Sequence, residues 1–436
     1  METLQRTANR GSISTGYDVE NSLKFEADNT EYLSRTPSSA GNRKTWTFSG
    51  WVKRTEIGSG GNTILSAGDT YIQFDGNALQ INFRAASENF FIITNRLFRD
   101  TSAWYHIVVQ CDTTQGTASN RAKVWVNGVQ ETSFSTSTYG NMSQNYDTLM
   151  NSTNEHEVGK YSNEETTYAN FFNGYMAEMH LVDGTALTPT SFGEFDDDSG
   201  IWKPKAYTGS YGTNGFYLDF ENASSLGADS SGNGNNFTPT NITSADQATD
   251  TPTNNFCTLN FNTGYIQGSD ATTFTQGATT RQGGSSSYNG ALGTIGINPF
   301  VGSAKWYWEV ELSANNNGNG IELGAGWLAT SIIQSTTADK ATAGNNAGFQ
   351  IWTSFDYDPP GEGTGADGDV FGFLLQCDSS NPNLKIYKND TLFTTRHTAT
   401  SYDFENDFYF PVVFIYNTGM KAFFNFGNPF DATVSS

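Results

Sequence analysis

Basic residues are scarce in this chain: 23 Lys plus Arg stand against 45 Asp plus Glu in 436 residues, a formal net charge of −22. A surface so acidic repels phosphate backbones and anionic lipid, which argues against nucleic acid or a membrane as partner. Cysteine is nearly absent. Cys111, Cys257 and Cys377 are odd in number and lack CxxC spacing, which argues against a disulfide framework or a thiolate zinc site. Cys111 and Cys377 end apolar runs and read as small core residues. No apolar stretch reaches the roughly 18 residues that span a bilayer. The opening METLQRTANRGSISTGYD lacks the apolar segment of a secretory signal. The four histidines, His106, His156, His180 and His397, are scattered, and neither HExxH nor a nucleophile elbow occurs. No segment has a convincing helical period.

Aromatic rings are plentiful, at 14% of the chain, among 45 glycines and abundant Ser, Thr and Asn. That mixture suits half-buried strands joined by polar turns. Two segments make the case sharply. AKVWVNGVQETSF (122–134) and NLKIYKNDTLF (383–393) run alternating apolar residues into Asn127-Gly128 and Asn389-Asp390. Those residue types accept the positive φ of a tight hairpin turn. A chain this long holds two or three domains, each with its own core.

Residues 1–20 are polar and without period, an arm that orders on a partner. From Ser22 alternation begins, with Leu23 and Phe25, then Trp46 and Phe48, then Leu79, Ile81 and Phe83. Residues 239–255 are rich in Thr, Asp and Pro, so 241–255 reads as a linker. Alternation returns most clearly at 305–312, where Trp306, Trp308, Val310 and Leu312 share one face. The expected fold class is all-β: two antiparallel β-sandwiches in tandem, over 21–240 and 256–436.

Several pieces carry a resemblance. TWTFSGWVK (45–53), WYHIVVQ (104–110), VWVNGV (124–129) and FNGYMAEMHLVDG (172–184) followed by ALTPTSFGE resemble the laminin-G/pentraxin-like branch of the concanavalin A-like jelly rolls. KWYWEVEL (305–312), ELGAGW (322–327), GDVFGFLLQ (368–376), LKIYKND (384–390) and AFFNFGNPF (422–430) are similar to SPRY domains. The pairing resembles virion proteins of marine tailed bacteriophages. The resemblance implies a tail-fibre or capsid-decorating appendage at the virion surface, made in the host cytoplasm, that adheres to a host-surface glycan or protein. It also implies contacts with other virion proteins through residues 1–20, and a homo-oligomer, threefold in a fibre. Purely structural decoration is the second reading, and a polysaccharide depolymerase the remote one.

The chemistry favours binding over catalysis. Glycosidases need two carboxylates flanking the bond, about 5–9 Å apart. Glu309 and Glu311 have strand spacing for this but lie on an outward face, and Glu178 with His180 lacks a second acid. No enzyme and no required cofactor is therefore expected. Asp356, Asp358, Glu362, Asp367 and Asp369 in one Pro/Gly-rich loop offer hard oxygen ligands for calcium. Sugars bind where rings sit beside amides and carboxylates. Trp352, Phe355 and Tyr357 beside Asp356 and Asp358 meet that description, as do Tyr161 and Tyr168 in NEHEVGKYSNEETTYANFF (154–172).

Overall fold

Alternation in the sequence becomes pleat in the structure, and the pleat decides what each sheet presents. The computed structural model describes residues 17–57, 60–85, 88–162, 169–260, 273–275, 279–282, 289–313, 322–323, 326–327, 351–352, 367–380, 382–397, 410–415 and 421–426. They are nearly all β and pair antiparallel, falling into two units that divide between Asn255 and Phe256.

The first unit has two large sheets. Sheet one runs, in spatial order, Val129–Gln130, Ala122–Val126, Trp104–Asp112, Thr45–Arg54, Gly174–Asp183, Ser22–Phe25 and Gln247–Ala248. Phe216–Leu218 also pairs with Gly174–Asp183. Sheet two runs Phe134–Ser137, Glu88–Leu97, Ala78–Ala85, Thr70–Asp75, Gly61–Ala67, His156–Val158, Tyr32–Arg35 and Thr238–Thr240. The pieces that carried the laminin-G resemblance are thus neighbouring strands of one sheet. Asn127 (φ 49°) and Gly128 (φ 78°) both adopt the left-handed conformation that a two-residue hairpin turn needs.

Between the sheets lies one core, in which Trp46, Phe48, Val109 and Leu181 meet Ile72, Phe74, Ile81 and Phe83. Trp46 meets Phe83 edge-on at 5.2 Å. Each such side chain contributes roughly 1.5–3 kcal/mol through burial. Sheet one is also covered on its other side. Trp51, Trp104, Tyr175 and Trp202 make one buried patch there, and Val108, Trp125, Val182, Phe192 and Tyr211 another. Every residue of Gly174–Asp183 is consequently buried.

Residues 241–255 are not a free linker. Thr243 and Asp246 cap a short 3-10 turn, Gln247–Ala248 adds a strand to sheet one, and Asp250 is fully buried against Lys53. The Thr and Asp that suggested solvent exposure are consumed as caps and ion-pair partners. Residues 17–20 of the expected arm are likewise integral: Val19 is buried and its backbone bonds Thr253.

In the second unit, one sheet runs Thr273–Thr275, Thr280–Gln282, Lys421–Asn425, Lys305–Ser313, Val370–Gln376, Asn383–Lys388 and Thr391–His397. Leu259–Asn260, Asn289–Gly293, Pro411–Ile415 and Gly326–Trp327 form another. Trp308, Val310 and Leu312 point into a core with Phe371, Phe373 and Leu375, and Trp308 stacks on Phe373 at 5.3 Å. Asn389 (φ 48°) and Asp390 (φ 63°) turn the second hairpin as expected. Cys111, Cys257 and Cys377 are buried, and none forms a disulfide.

Candidate functional site

Sheet two of the first unit buries one face and leaves the other partly open. Along Thr70–Asp75, Ile72 and Phe74 point into the core, so Tyr71 and Gln73 point out. The same rule turns Gln80, Asn82 and Arg84 outward on the next strand, and Phe91 and Ile93 on the one after. Register then aligns them. Tyr71 lies opposite Asn82, and Asn82 opposite Phe91; Gln73 lies opposite Gln80, and Gln80 opposite Ile93. One rung reads tyrosine, amide, phenylalanine, and the next carries two amides and an isoleucine.

The amides are held in place. Gln73 Nε2 donates to Gln80 Oε1 at 3.0 Å, while Gln73 Oε1 accepts from Thr63 Oγ1 and Asn170 Nδ2, each at 3.2 Å. Asn82 bonds the Tyr71 hydroxyl, which partly offsets the upward push of burial on that phenol. Its Oδ1, although buried, has no hydrogen-bond partner among the described residues. A buried acceptor left unmade costs about 1–3 kcal/mol, and this one sits between the two rings with almost no surface of its own.

One flank is built by the Lys160–Ser162/Ala169–Phe171 hairpin. Tyr161 from this hairpin packs its ring on Tyr71 at 4.6 Å and donates its hydroxyl to Asp69 Oδ1 at 2.8 Å. Burial and the bond to Asp69 both push the Tyr161 phenol up, so it stays a donor. Arg84 Nε stands 4.0 Å from Asp69 and is half-exposed. Rings, planar amides, a carboxylate and a guanidinium therefore converge on one open face.

Of the residues expected from sequence, Tyr161 belongs to this cluster. Tyr168, Phe355, Asp356, Tyr357, Asp358 and Glu362 lie outside the described residues. Trp352 lies in the strand Ile351–Trp352, opposite Glu322. Asp367 is exposed in a turn, and Asp369 is engaged by Lys388 Nζ at 2.8 Å and Asn389 Nδ2 at 2.9 Å. Among the described residues, no three His, Cys, Asp or Glu side chains converge as a metal site. Glu309 accepts from Tyr307 at 2.8 Å and from Asn425 at 3.0 Å.

Glu178 and His180 sit on the covered side of sheet one instead. A bulge in Gly174–Asp183 puts Glu178 at φ 51°, beneath Tyr17 and Tyr217, whose hydroxyls donate to it at 2.6 and 2.7 Å. Burial pushes this carboxyl up, but His180, Tyr17 and Tyr217 outweigh it and hold the group below the usual range. His180 stacks on Tyr217 at 4.3 Å and bonds Tyr211 at 2.9 Å. Nearby, His106 takes a hydrogen bond from Trp202 Nε1 at 3.0 Å, and burial pushes it down to about 3. These groups are pinned by tyrosines and tryptophan.

Tyr71, Gln73, Gln80 and Asn82 were not singled out from sequence, although the signal exists. DTYIQFDGNALQINFR (69–84) alternates throughout, and its polar stripe is amide and tyrosine rather than Lys and Glu.

Residues 18–191 match a laminin G model described as the concanavalin A-like lectin/glucanases superfamily. The fold of this unit is concanavalin A-like. No curated protein matches the chain. Among solved structures, a candidate carbohydrate-binding protein from Bacteroides ovatus is 16% identical over 53% of this chain, with a TM-score of 0.36. This chain spans only 60% of that protein's length. The heptameric SAP-like pentraxin of Limulus polyphemus is 15% identical over 40% of this chain and 80% of its own, with a TM-score of 0.29. The SPRY domain of human HERC1 is 15% identical over 38% of this chain and 94% of its own, with a TM-score of 0.23.

Proposed function

We propose that this protein is an adhesive appendage, an exposed tail-fibre or capsid-decorating protein of a virion, whose first unit binds a host-surface glycan. The lectin-superfamily match over 18–191 supports binding as the class of activity. The observation that carries the site is the Tyr71–Asn82–Phe91 rung with the unpaired Asn82 Oδ1 at its centre. Sugar C–H faces stack on rings while hydroxyls need planar partners, and this rung supplies both. The virion setting rests on the resemblance of the paired sequence pieces to phage proteins. In that setting residues 1–20 dock onto other virion proteins and the chain assembles as a homo-oligomer.

A glycan array probed with the full chain tests the binding. A hit should weaken roughly tenfold in Asn82→Ala, the loss of about one well-made hydrogen bond, and more in Tyr161→Ala. Failure of the full chain to bind any host glycan at micromolar concentration would instead favour structural decoration. Immunogold labelling of particles tests the setting: absence from virions refutes it, and unchanged incorporation after deleting residues 1–20 refutes the arm as anchor.

A further inference from the structure

The first unit carries a second chemical arrangement, unrelated to the open face. Lys53 and Asp250 are both fully buried, with Lys53 Nζ 2.7 Å from Asp250 Oδ2. The same Nζ lies 2.8 Å from Asn255 Oδ1. A lysine amine, a carboxamide and a carboxyl group thus meet in one water-poor site. Its walls are aromatic. Lys53 stands in register between Tyr175 on one neighbouring strand and Trp104 on the other, and Trp104 Nε1 donates to Asp250 Oδ1 at 2.9 Å.

The carboxamide is oriented. Asn255 Nδ2 donates to the Ser102 carbonyl at 2.7 Å, which turns Oδ1 toward Lys53. A C=O bond is about 1.23 Å long, so Nζ lies within about 4 Å of Asn255 Cγ. That separation is a small movement from near-attack distance. Asp250 is positioned as well: Ser22 Oγ donates to its backbone carbonyl at 2.6 Å, and its two carboxylate oxygens face Trp104 and Lys53.

We propose that Lys53 and Asn255 join in an intramolecular isopeptide bond, with Asp250 as the proton shuttle. In this site closed to bulk solvent, the Lys53 ammonium first passes one proton along its 2.7 Å contact to Asp250 Oδ2, which frees the amine lone pair. The amine lone pair then attacks Asn255 Cγ, and the Nζ–Cγ bond forms. Asp250 takes the second proton from the attacking nitrogen and delivers one to Nδ2. The Cγ–Nδ2 bond breaks and ammonia leaves. One amide replaces another, so no oxidant, metal or second substrate is needed. Ammonia takes up the remaining proton and departs as ammonium, restoring the Asp250 carboxylate.

The full folded chain answers this directly. Tryptic digestion should give a branched peptide joining the Lys53 side chain to Asn255, about 17 Da lighter than its two linear parts. Cleavage after residue 53 should disappear. Linear peptides from the folded chain, with free Lys53 and an intact or deamidated Asn255, overturn the proposal, and this readout does not depend on any variant folding. Asp250→Asn keeps both reacting residues and should remain linear. A bond that survives that substitution removes Asp250 from the mechanism.

Discussion

The two outer faces of the first unit start from the same pleat and end differently. Sheet one turns Trp51, Lys53, His106, Tyr175, Glu178 and His180 away from the core, and the chain covers them again with residues 17–20, 187–217 and 247–255. Sheet two turns Tyr71, Gln73, Gln80, Asn82 and Phe91 away from the core, and what covers them among the described residues is one small hairpin. Charges under a cover need partners, and each one there has them. The amides of the second face bond mostly one another, and Asn82 Oδ1 keeps no partner among the described residues. The proposed function thus gives polar residues on the covered face to stability and those on the open face to recognition.

Substitutions that separate stability from binding test this division. The largest effect is expected for Asp250→Ala, which breaks up the fully buried Lys53–Asp250 pair and, by the proposal above, leaves the Lys53–Asn255 bond unmade. Removing one partner of such a pair costs about 3–5 kcal/mol, measurable as a lower urea midpoint. Glu178→Gln comes next, at about 1–3 kcal/mol for the disrupted hydrogen bonds near neutral pH. Because the folded state holds Glu178 below its ordinary value of 4.5, its contribution is present above that value and fades as pH falls through the depressed one. The variant and the parent should therefore converge in acid. A uniform offset at every pH would contradict the assignment.

Glu31 should behave oppositely. Burial, with Asp246 close by, pushes it up from 4.5 to about 7. Its contribution is complete below 4.5 and is lost as pH rises through 7. Glu31→Gln should raise the melting temperature above pH 7 and leave it unchanged near pH 4; a drop at pH 8 would show that the carboxylate is needed there. The smallest effect belongs to the open face. Asn82→Ala should change stability by less than about 1 kcal/mol while weakening glycan binding roughly tenfold. Loss of fold in that variant would merge the two faces into one structural role.

The sequence was most informative where chemistry is local. Asn127-Gly128 and Asn389-Asp390 specify turns through their own φ preferences, and Trp308, Val310 and Leu312 specify a face through spacing alone. It was misleading at 241–255, because a Thr- and Asp-rich stretch has the same composition whether its hydroxyls and carboxylates meet water or a distant lysine. Lys53 and Asp250 are 197 positions apart, and only the strand order joins them. The open face was hidden for a related reason. Gln73 and Asn82 look like ordinary solvent-side residues until register shows that Tyr71 and Phe91 flank the same amide.

The strand Ser22–Phe25 pairs with Gln247–Ala248 so that Ser22 lies opposite Ala248, and Val19 bonds Thr253 just beyond. The chain therefore enters and leaves the first unit at one place, on two antiparallel neighbours. With Lys53 and Asn255 joined as proposed, tension along the backbone at these two ends would pass through that bond before it could peel the pair apart. The open face belongs to the other sheet. Its recognition surface can be rebuilt by substitution without altering how the chain passes through.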